Sequence, residues 1–167
     1  TATGGTITTC GDCKIHTFTG PGTFTVCSVA NCATNNIVSH LVIAGGGGGG
    51  GGITTSSGAG GSGGYREVKN PVNPYTASPL DGYPSAPNRV TVTATAFPIT
   101  VGAGGTSNCT DGQAPSTRAG ANSVFSTITS AGGGGGGAVN PVPDRVGGDG
   151  GSGGSGGSNG DNNGGSG

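Results

Sequence analysis

Five cysteines are the residues of this chain best suited to chemistry. Cys10 and Cys13 are separated by Gly-Asp, and Cys27 and Cys32 by four residues, which are spacings close to those of zinc knuckles. A four-thiolate zinc site is therefore one interpretation, and two disulfides or free thiols are the others. Cys109 is the odd cysteine, either a free thiol or an intermolecular link.

A predicted hairpin decides how disulfides would pair. Residues 15–19 and 23–26 alternate bulky side chains with threonine on both sides of Gly-Pro-Gly, which is typical of a hairpin. With the phenylalanines at 18 and 24 opposite each other, Cys10 lies opposite Cys32, and Cys13 lies one diagonal step from Cys27. The two pairs fall on opposite faces, which favours disulfides over one zinc site and leaves free thiols open.

The remaining titratable residues do not form a catalytic pattern. The chain has two histidines and seven acidic residues, without a nucleophile elbow, a paired-carboxylate segment or a metal-binding histidine spacing. His16 and His40 lie in strand patterns and are interpreted as structural. Gly52 is followed by Ile53 rather than by the Gly-Lys-Ser/Thr ending of a phosphate loop. We therefore expect a non-enzymatic protein with no catalytic residues, no metal and no cofactor.

Composition limits the classes of protein further. Of 167 residues, 42 are glycine and 10 proline, while only 29% are hydrophobic, so a conventional core is hard to build. Six basic and seven acidic residues without a basic cluster argue against nucleic-acid binding. Because no run of about 20 apolar residues occurs, we expect no membrane insertion. The start at Thr1 indicates a piece of a longer polypeptide, and we expect missing residues at either end.

Glycine runs follow predicted strands at three places. Residues 40–44 lead into eight glycines at 45–52, residues 99–101 into 102–105, and residues 128–131 into 132–137. Glycine can pack as an extended threefold polyglycine II helix that bonds to neighbouring helices, because it has no Cβ. The sequence therefore predicts an all-β protein whose short antiparallel strands feed a stacked bundle of polyglycine II helices, with long Pro-rich loops and essentially no α-helix. The alternative is a flexible glycine-serine linker. The predicted scaffold glycines are Gly45, Gly48, Gly52, Gly104 and Gly134.

Long loops interrupt the strands and runs, and they are the predicted functional surface. Residues 69–88 carry five prolines, which forbid helix and interior strand. A loop of this length is uncommon unless it has a role, although a lid over the edges of the runs is the alternative. Two further loops span 106–121 and 138–146. We predict a cysteine-rich hairpin at 1–36, a strand and glycine-run domain at 37–146, and a Gly/Ser/Asn tract at 147–167 that is a further run or a truncated end. The predicted binding residues are Tyr75, Tyr83, Arg89, Asn108, Arg118 and Arg145.

An ordered set of segments resembles a known family. The set comprises residues 16–26, 40–44 with the following glycines, 63–66, 99–105, and 126–129 with the following glycines. It resembles the glycine-rich domain of tailed-bacteriophage virion proteins, which occurs in tail fibres and fibre-tip adhesins. The resemblance implies a structural protein at the virion surface whose loops bind a bacterial receptor, either protein or glycan. Its other implied partners are virion proteins and further copies of the chain. The five cysteines lie outside the pattern.

Two other functions fit parts of the sequence. One is a structural subunit of a virion or an extracellular filament, with loops that make subunit contacts. The other is an ice-binding protein built on polyglycine helices, which needs small residues at every third position. The contiguous glycines and bulky loops disfavour the second.

Overall fold

Short β-strands make up the regular structure of the chain. The computed structural model describes residues 1–52, 57–107, 114–139, 145–157 and 163–167. Within these ranges it contains eleven strands and three 3-10 segments but no α-helix, so the predicted all-β class is confirmed. The strands are β1 (Ala2–Thr3), β2 (Thr6–Cys10), β3 (Cys13–Thr17), β4 (Gly22–Val26), β5 (Ile37–Val38), β6 (His40–Ile43), β7 (Tyr65–Val68), β8 (Val90–Thr91), β9 (Ala96–Thr100), β10 (Ser123–Phe125) and β11 (Ile128–Ser130), and the 3-10 segments are Ala33–Asn36, Ala86–Asn88 and Pro115–Arg118. None of the helices in the described ranges is long and apolar enough to cross a membrane.

The chain forms two compact units, each built from three separate stretches. Unit 1 comprises Thr1–Val42, Arg66–Val101 and Val124–Thr129, and unit 2 comprises Ile43–Tyr65, Gly102–Ser123 and Ser130–Gly167. This division differs from the predicted consecutive segments 1–36, 37–146 and 147–167. Unit 1 contains a core of apolar side chains, whereas the glycine runs of unit 2 are joined by backbone hydrogen bonds, so the two units differ in chemistry rather than in position along the chain.

A five-stranded sheet in the order β1-β4-β9-β10-β11 organises unit 1. The pairs β1–β4, β4–β9 and β9–β10 are antiparallel, and Phe24 lies opposite Phe97. The tight turn between β10 and β11 contains Ser126, whose φ of 55° is the only positive φ of a non-glycine residue in the described ranges. Smaller two-stranded sheets pair β2 with β3, β5 with β8 and β6 with β7.

The core of unit 1 is small and apolar. Three phenylalanine rings meet with centroid separations of 6.2–6.4 Å, in edge-to-face or tilted arrangements that stabilise aromatic pairs. The chain thus gathers almost all of its few phenylalanines at one place. The buried residues of this core are Val26, Val42, Val90, Val92, Phe125 and Ile128.

The prediction that residues 15–19 and 23–26 pair as a hairpin is wrong. β3 pairs with β2, whereas β4 pairs with β1 and β9, so Phe24 does not lie opposite Phe18. Residues 6–10 form a strand that the sequence interpretation overlooked. β2 and β3 are joined by a two-residue turn with Gly11 at its first central position, a geometry that matches the twist of paired strands. The connection between β3 and β4, around Pro21, is longer, so it joins those two strands less closely.

The extended stretches of unit 2, most of them rich in glycine, are joined by backbone hydrogen bonds. We name them run A (44–52), run B (57–64), run C (102–107), run D (114–122), run E (131–139), run F (145–157) and run G (163–167). Run D is the exception in composition, because it has one glycine and contains the 3-10 segment Pro115–Arg118. Run E exchanges hydrogen bonds with runs A, B, D and F, and its residues 132–139 are all buried. Backbone thus takes the place of a side-chain core in this unit.

The hydrogen bonds between runs repeat every third residue. In run A, the donors are three residues apart and their acceptors in run B step back by three: Ala44 to Gly64 at 3.0 Å, Gly47 to Gly61 at 2.8 Å and Gly50 to Gly58 at 2.8 Å. Run E donates to run A with the same step, from Gly133, Gly136 and Val139 to Gly45, Gly48 and Gly51. A repeat of about three residues per turn is that of an extended threefold helix. The polyglycine II conformation itself stays a prediction.

Close approach of the backbones, rather than backbone conformation, requires glycine in the runs. The described glycines with positive φ are Gly4, Gly5 and Gly11, all outside the runs. The space around run A also has a three-residue period. Methyl groups at Gly47 and Gly50 would overlap carbonyl oxygens of run E, and those at Gly45 and Gly48 would overlap carbonyls of run C, whereas those at Gly46 and Gly49 would make only ordinary contacts at 3.6 and 3.7 Å.

Candidate functional site

The proline-rich loop 69–89 connects β7 to β8 in unit 1, and two carboxylates shape it. The Oε2 atom of Glu67 accepts a hydrogen bond from the backbone N–H of Ser78 at 3.1 Å. The Oδ1 atom of Asp81 accepts from the N–H groups of Lys69 at 2.9 Å and Tyr83 at 3.0 Å. Prolines cannot donate backbone hydrogen bonds, so these side-chain acceptors hold a segment that cannot form a regular strand.

Asn70 anchors the beginning of the loop. It is buried, and its Nδ2 atom donates to the backbone carbonyls of Thr34 at 3.1 Å and Ile37 at 2.7 Å. Its Oδ1 atom accepts from the N–H of Val72 at 3.2 Å, and its own N–H donates to Ser39 Oγ at 2.9 Å. A buried amide with these partners fixes the position from which the loop starts.

The loop presents aromatic and apolar side chains to solvent. Tyr75 is 44% exposed, and Val72 and Leu80 are 65% and 69% exposed. The Lys69 ammonium lies 6.0 Å from the ring centroid of Tyr75, within the range of a cation–π interaction. Exposed apolar groups on an ordered backbone form the kind of surface that partners recognise.

Tyr83 and Arg89 form an internal pair. The Arg89 guanidinium lies 4.5 Å from the ring centroid of Tyr83. Its Nε atom donates to the Tyr83 carbonyl at 2.7 Å, and its Nη2 atom donates to the Pro84 carbonyl at 3.3 Å. Both residues, predicted as binding anchors, therefore help to hold the end of the loop in shape, while Tyr75 is the more accessible tyrosine.

A groove near the end of the loop contains residues that the sequence interpretation did not select. Its volume is about 260 Å³, and its lining includes the exposed Arg66, the half-buried Asn88 and the exposed Thr127 and Thr129. The sequence feature that could have indicated this groove is Arg66, a charged residue that lies just after a glycine run and near the start of a strand. Pro87 and Ile128 complete the lining.

The other predicted binding residues lie in unit 2 or outside the described residues. Arg118 is only 1% exposed, and its Nε and Nη2 atoms donate to the Gly136 carbonyl at 3.1 and 2.9 Å. The expectation of an exposed loop arginine is therefore corrected, because this side chain lies inside the bundle. Arg145 is half-buried and donates from Nε to the Val139 carbonyl at 2.9 Å. Asn108 lies outside the described residues.

The predicted scaffold glycines fall in the described part of the bundle. Methyl groups at Gly45, Gly48 and Gly134 would collide with backbone atoms of neighbouring runs. Gly104 is less constrained, since its nearest contact would be the Gly46 carbonyl at 3.6 Å. Gly52 is the last described residue of run A.

The described cysteines are free thiols. Cys10, Cys27 and Cys32 are exposed and Cys13 is half-buried, so the predicted pairs Cys10–Cys32 and Cys13–Cys27 do not form here. The register from which they were derived is wrong, because Cys10 lies opposite Cys13. No three His, Cys, Asp or Glu side chains in the described ranges gather as metal ligands. Cys109 lies outside those ranges.

One thiol and one histidine have shifted acidities. The Thr34 hydroxyl, 3.1 Å from Cys32 Sγ, lowers the pKa of that thiol. His40 packs edge-to-face on Phe125 at 5.6 Å, and burial lowers its pKa because desolvation disfavours the imidazolium. His16 is held by a 2.8 Å hydrogen bond between its Nδ1 atom and the Gly4 carbonyl.

Comparison with known proteins identifies a family but no individual relative. Neither the curated proteins nor the solved structures contain a match to this chain. A family model described as a glycine-rich domain matches residues 18–167, which include β4, the proline-rich loop and all of the runs. The chain therefore belongs to this glycine-rich domain family.

Proposed function

We propose that this chain is a non-enzymatic structural protein of a tailed-phage virion, a tail fibre or spike domain whose loop 69–89 binds the bacterial surface. The resemblance of the ordered segments at 16–26, 40–52, 63–66, 99–105 and 126–137 supports the phage assignment. Its partners would be a bacterial receptor, other virion proteins and further copies of the chain, at the virion surface.

The observation that carries the binding role is the combination of an exposed tip and a fixed base in the proline-rich loop. Val72, Tyr75 and Leu80 are exposed, while Asn70 and Glu67 are buried and hold the backbone. Ordering a side chain on binding costs about 0.5–1.5 kcal/mol, and a loop that is already held avoids part of the total cost. Tyrosine is also enriched among residues that dominate binding energies.

The bundle of runs in unit 2 supports the structural role. Its runs bond to one another through backbone groups, and run E is buried along 132–139. A framework of this kind depends mainly on backbone contacts, and it suits a protein that must remain rigid outside a cell.

Attachment to bacterial cells tests the proposal. The full chain carries a fluorescent label and is mixed with a panel of intact Gram-negative and Gram-positive cells, and the bound fraction is measured by flow cytometry. Tyr75→Ala and Leu80→Ala should each weaken attachment, by about 30-fold where the side chain contributes about 2 kcal/mol. Ile15→Ala is the matched control, because Ile15 is equally apolar and 49% exposed but lies in the β2–β3 hairpin.

The alternative role as a structural subunit has its own observation. The β2–β3 hairpin exposes Ile7 on the face of its two-stranded sheet opposite to Ile15. An exposed two-stranded sheet is suited to contact with another subunit. If Ile7→Ala shifts the sedimentation coefficient to that of a smaller species while the loop variants leave attachment unchanged, the structural-subunit role replaces receptor binding.

A further inference from the structure

The β2–β3 turn places two cysteines directly opposite each other. Cys10 ends β2, Cys13 begins β3, and the register pairs them across Gly11 and Asp12. Gly11 has a φ of 57° and Asp12 does not have a positive φ, as in a type II′ turn. Hydrogen-bonded partners in antiparallel strands have Cα atoms about 5.5 Å apart, inside the range of about 4.4–6.8 Å that a disulfide spans.

One cysteine of this pair is exposed to solvent, and the other is contacted by the proline-rich loop. All five residues of β2 are exposed, and no third strand from the described part of the chain pairs with the hairpin. A two-stranded hairpin is marginally stable by itself, so a covalent link at its turn would stabilise it. Cys10 Sγ is open to solvent, whereas Cys13 is half-buried and its Sγ atom accepts a 3.6 Å contact from Asn73 Nδ2 in the proline-rich loop.

We propose that Cys10 and Cys13 are a thiol–disulfide exchange site that closes into a reversible disulfide across the turn. The oxidant is a low-molecular-weight disulfide such as oxidised glutathione. The exposed Cys10 thiolate attacks one sulfur of this disulfide, which forms a mixed disulfide and releases one glutathione thiolate. The Cys13 thiolate then attacks Cys10 Sγ and displaces the second glutathione thiolate. The protein loses two protons and two electrons, and two glutathione molecules leave in the reduced form.

The closed form should be readily reduced. Partners in a hydrogen-bonded pair have Cβ atoms about 5.5 Å apart, farther than the roughly 3.5–4.5 Å of a relaxed disulfide, so closure needs a local adjustment. Exposed or strained disulfides have more oxidising potentials than buried structural ones. The site therefore responds to the redox state of its surroundings rather than acting as a permanent staple.

Peptide mapping tests the proposal with the full chain. Trypsin cleaves after Lys14 and next after Arg66, so Cys10 and Cys13 fall in peptide 1–14 while Cys27 and Cys32 fall in peptide 15–66. After incubation in a glutathione redox buffer and alkylation, peptide 1–14 should lack both alkyl groups and have a mass two hydrogens lower than the dithiol. Excess reduced glutathione should restore both alkylation sites.

One single and one double cysteine variant provide the controls. In Cys13→Ser, Cys10 should carry a glutathione adduct, because the second step is lost. In Cys27→Ser/Cys32→Ser, the disulfide within peptide 1–14 should form as before. A link between peptides 1–14 and 15–66, or separate adducts on Cys10 and Cys13 in the wild-type chain, would overturn the proposal.

Discussion

Two neighbouring glycines of run A should respond in opposite ways to the same substitution. The Gly47→Ala methyl would overlap the Gly134 carbonyl oxygen of run E, a backbone atom that cannot rotate away. The Gly46→Ala methyl would lie 3.6 Å from the Gly61 carbonyl, an ordinary contact, and Gly46 is exposed. The two variants therefore have the same composition and differ by one position.

The expected loss of stability in Gly47→Ala follows from the contacts that Gly47 makes. Overpacking typically costs about 1–3 kcal/mol, and loss of a backbone hydrogen bond adds about 1 kcal/mol. The bond at risk joins the Gly47 N–H to the Gly61 carbonyl at 2.8 Å. For a chain of this length each kcal/mol lowers Tm by about 2–4 °C, so a loss of about 2–4 kcal/mol predicts a fall of about 4–16 °C. Gly46→Ala should instead stabilise by about 0.4–1 kcal/mol, because alanine reduces the entropy of the unfolded chain.

Thermal unfolding followed by circular dichroism and calorimetry measures both values. Gly49→Ala serves as a second control, because its methyl would lie 3.7 Å from the nearest carbonyl, one three-residue step after Gly46. Equal losses for Gly46→Ala and Gly47→Ala would refute the three-residue period of close contacts. No loss for either would show that run A does not pack against run E in solution.

Three further predictions concern single side chains. Arg118→Met should lower the free energy of unfolding by about 1.5–3 kcal/mol in urea titrations, since the charged hydrogen bonds to the Gly136 carbonyl are lost. Because the pKa of His40 is lowered in the folded chain, the imidazole of the unfolded chain is protonated first as the pH falls. The free energy of unfolding should therefore decline below about pH 6.5 and level off only below the folded-state pKa. His40→Leu should remove this part of the pH dependence. Thr34→Val should raise the pH at which iodoacetamide alkylates Cys32, because the hydroxyl that lowers the pKa of the thiol is gone.

Local patterns were sufficient to predict the class of the fold. Strands were predicted directly before the glycine runs, at 40–44, 99–101 and 128–131, and β6, the end of β9 and β11 lie there. The prolines of residues 69–88 excluded regular strands, and that segment forms the described loop. Each of these predictions depends on residues adjacent in sequence, so it did not require knowledge of the strand with which a segment pairs.

The pairing partners of the strands and the burial of individual side chains could not be predicted in the same way. Alternation in residues 23–26 is equally compatible with β3 or with β9 as a neighbour. The β2–β3 turn, which occupies β3, and packing among the phenylalanines at 24, 97 and 125 favour β9. Arg118 has the local sequence of a polar loop residue. Its burial follows from the Gly136 carbonyl in a distant run, which no local pattern reveals.

Two polar side chains explain how runs joined by a repeating pattern of backbone hydrogen bonds select one alignment. Because hydrogen bonds between runs repeat every third residue, sliding one run by three positions would preserve most of them, so glycine alone cannot specify the register. Side chains remove this degeneracy where they accept from backbone N–H groups near the beginnings of runs. The residues three positions before Asn122 and Ser123 are Ala119 and Gly120, which have no side-chain acceptor, so a slide that brought them to these sites would leave the N–H groups without a partner. The register of runs C, D and E is therefore set by residues that are not glycine, and these bonds are Gly102 N–H to Ser123 Oγ at 2.9 Å and Gly132 N–H to Asn122 Oδ1 at 2.9 Å.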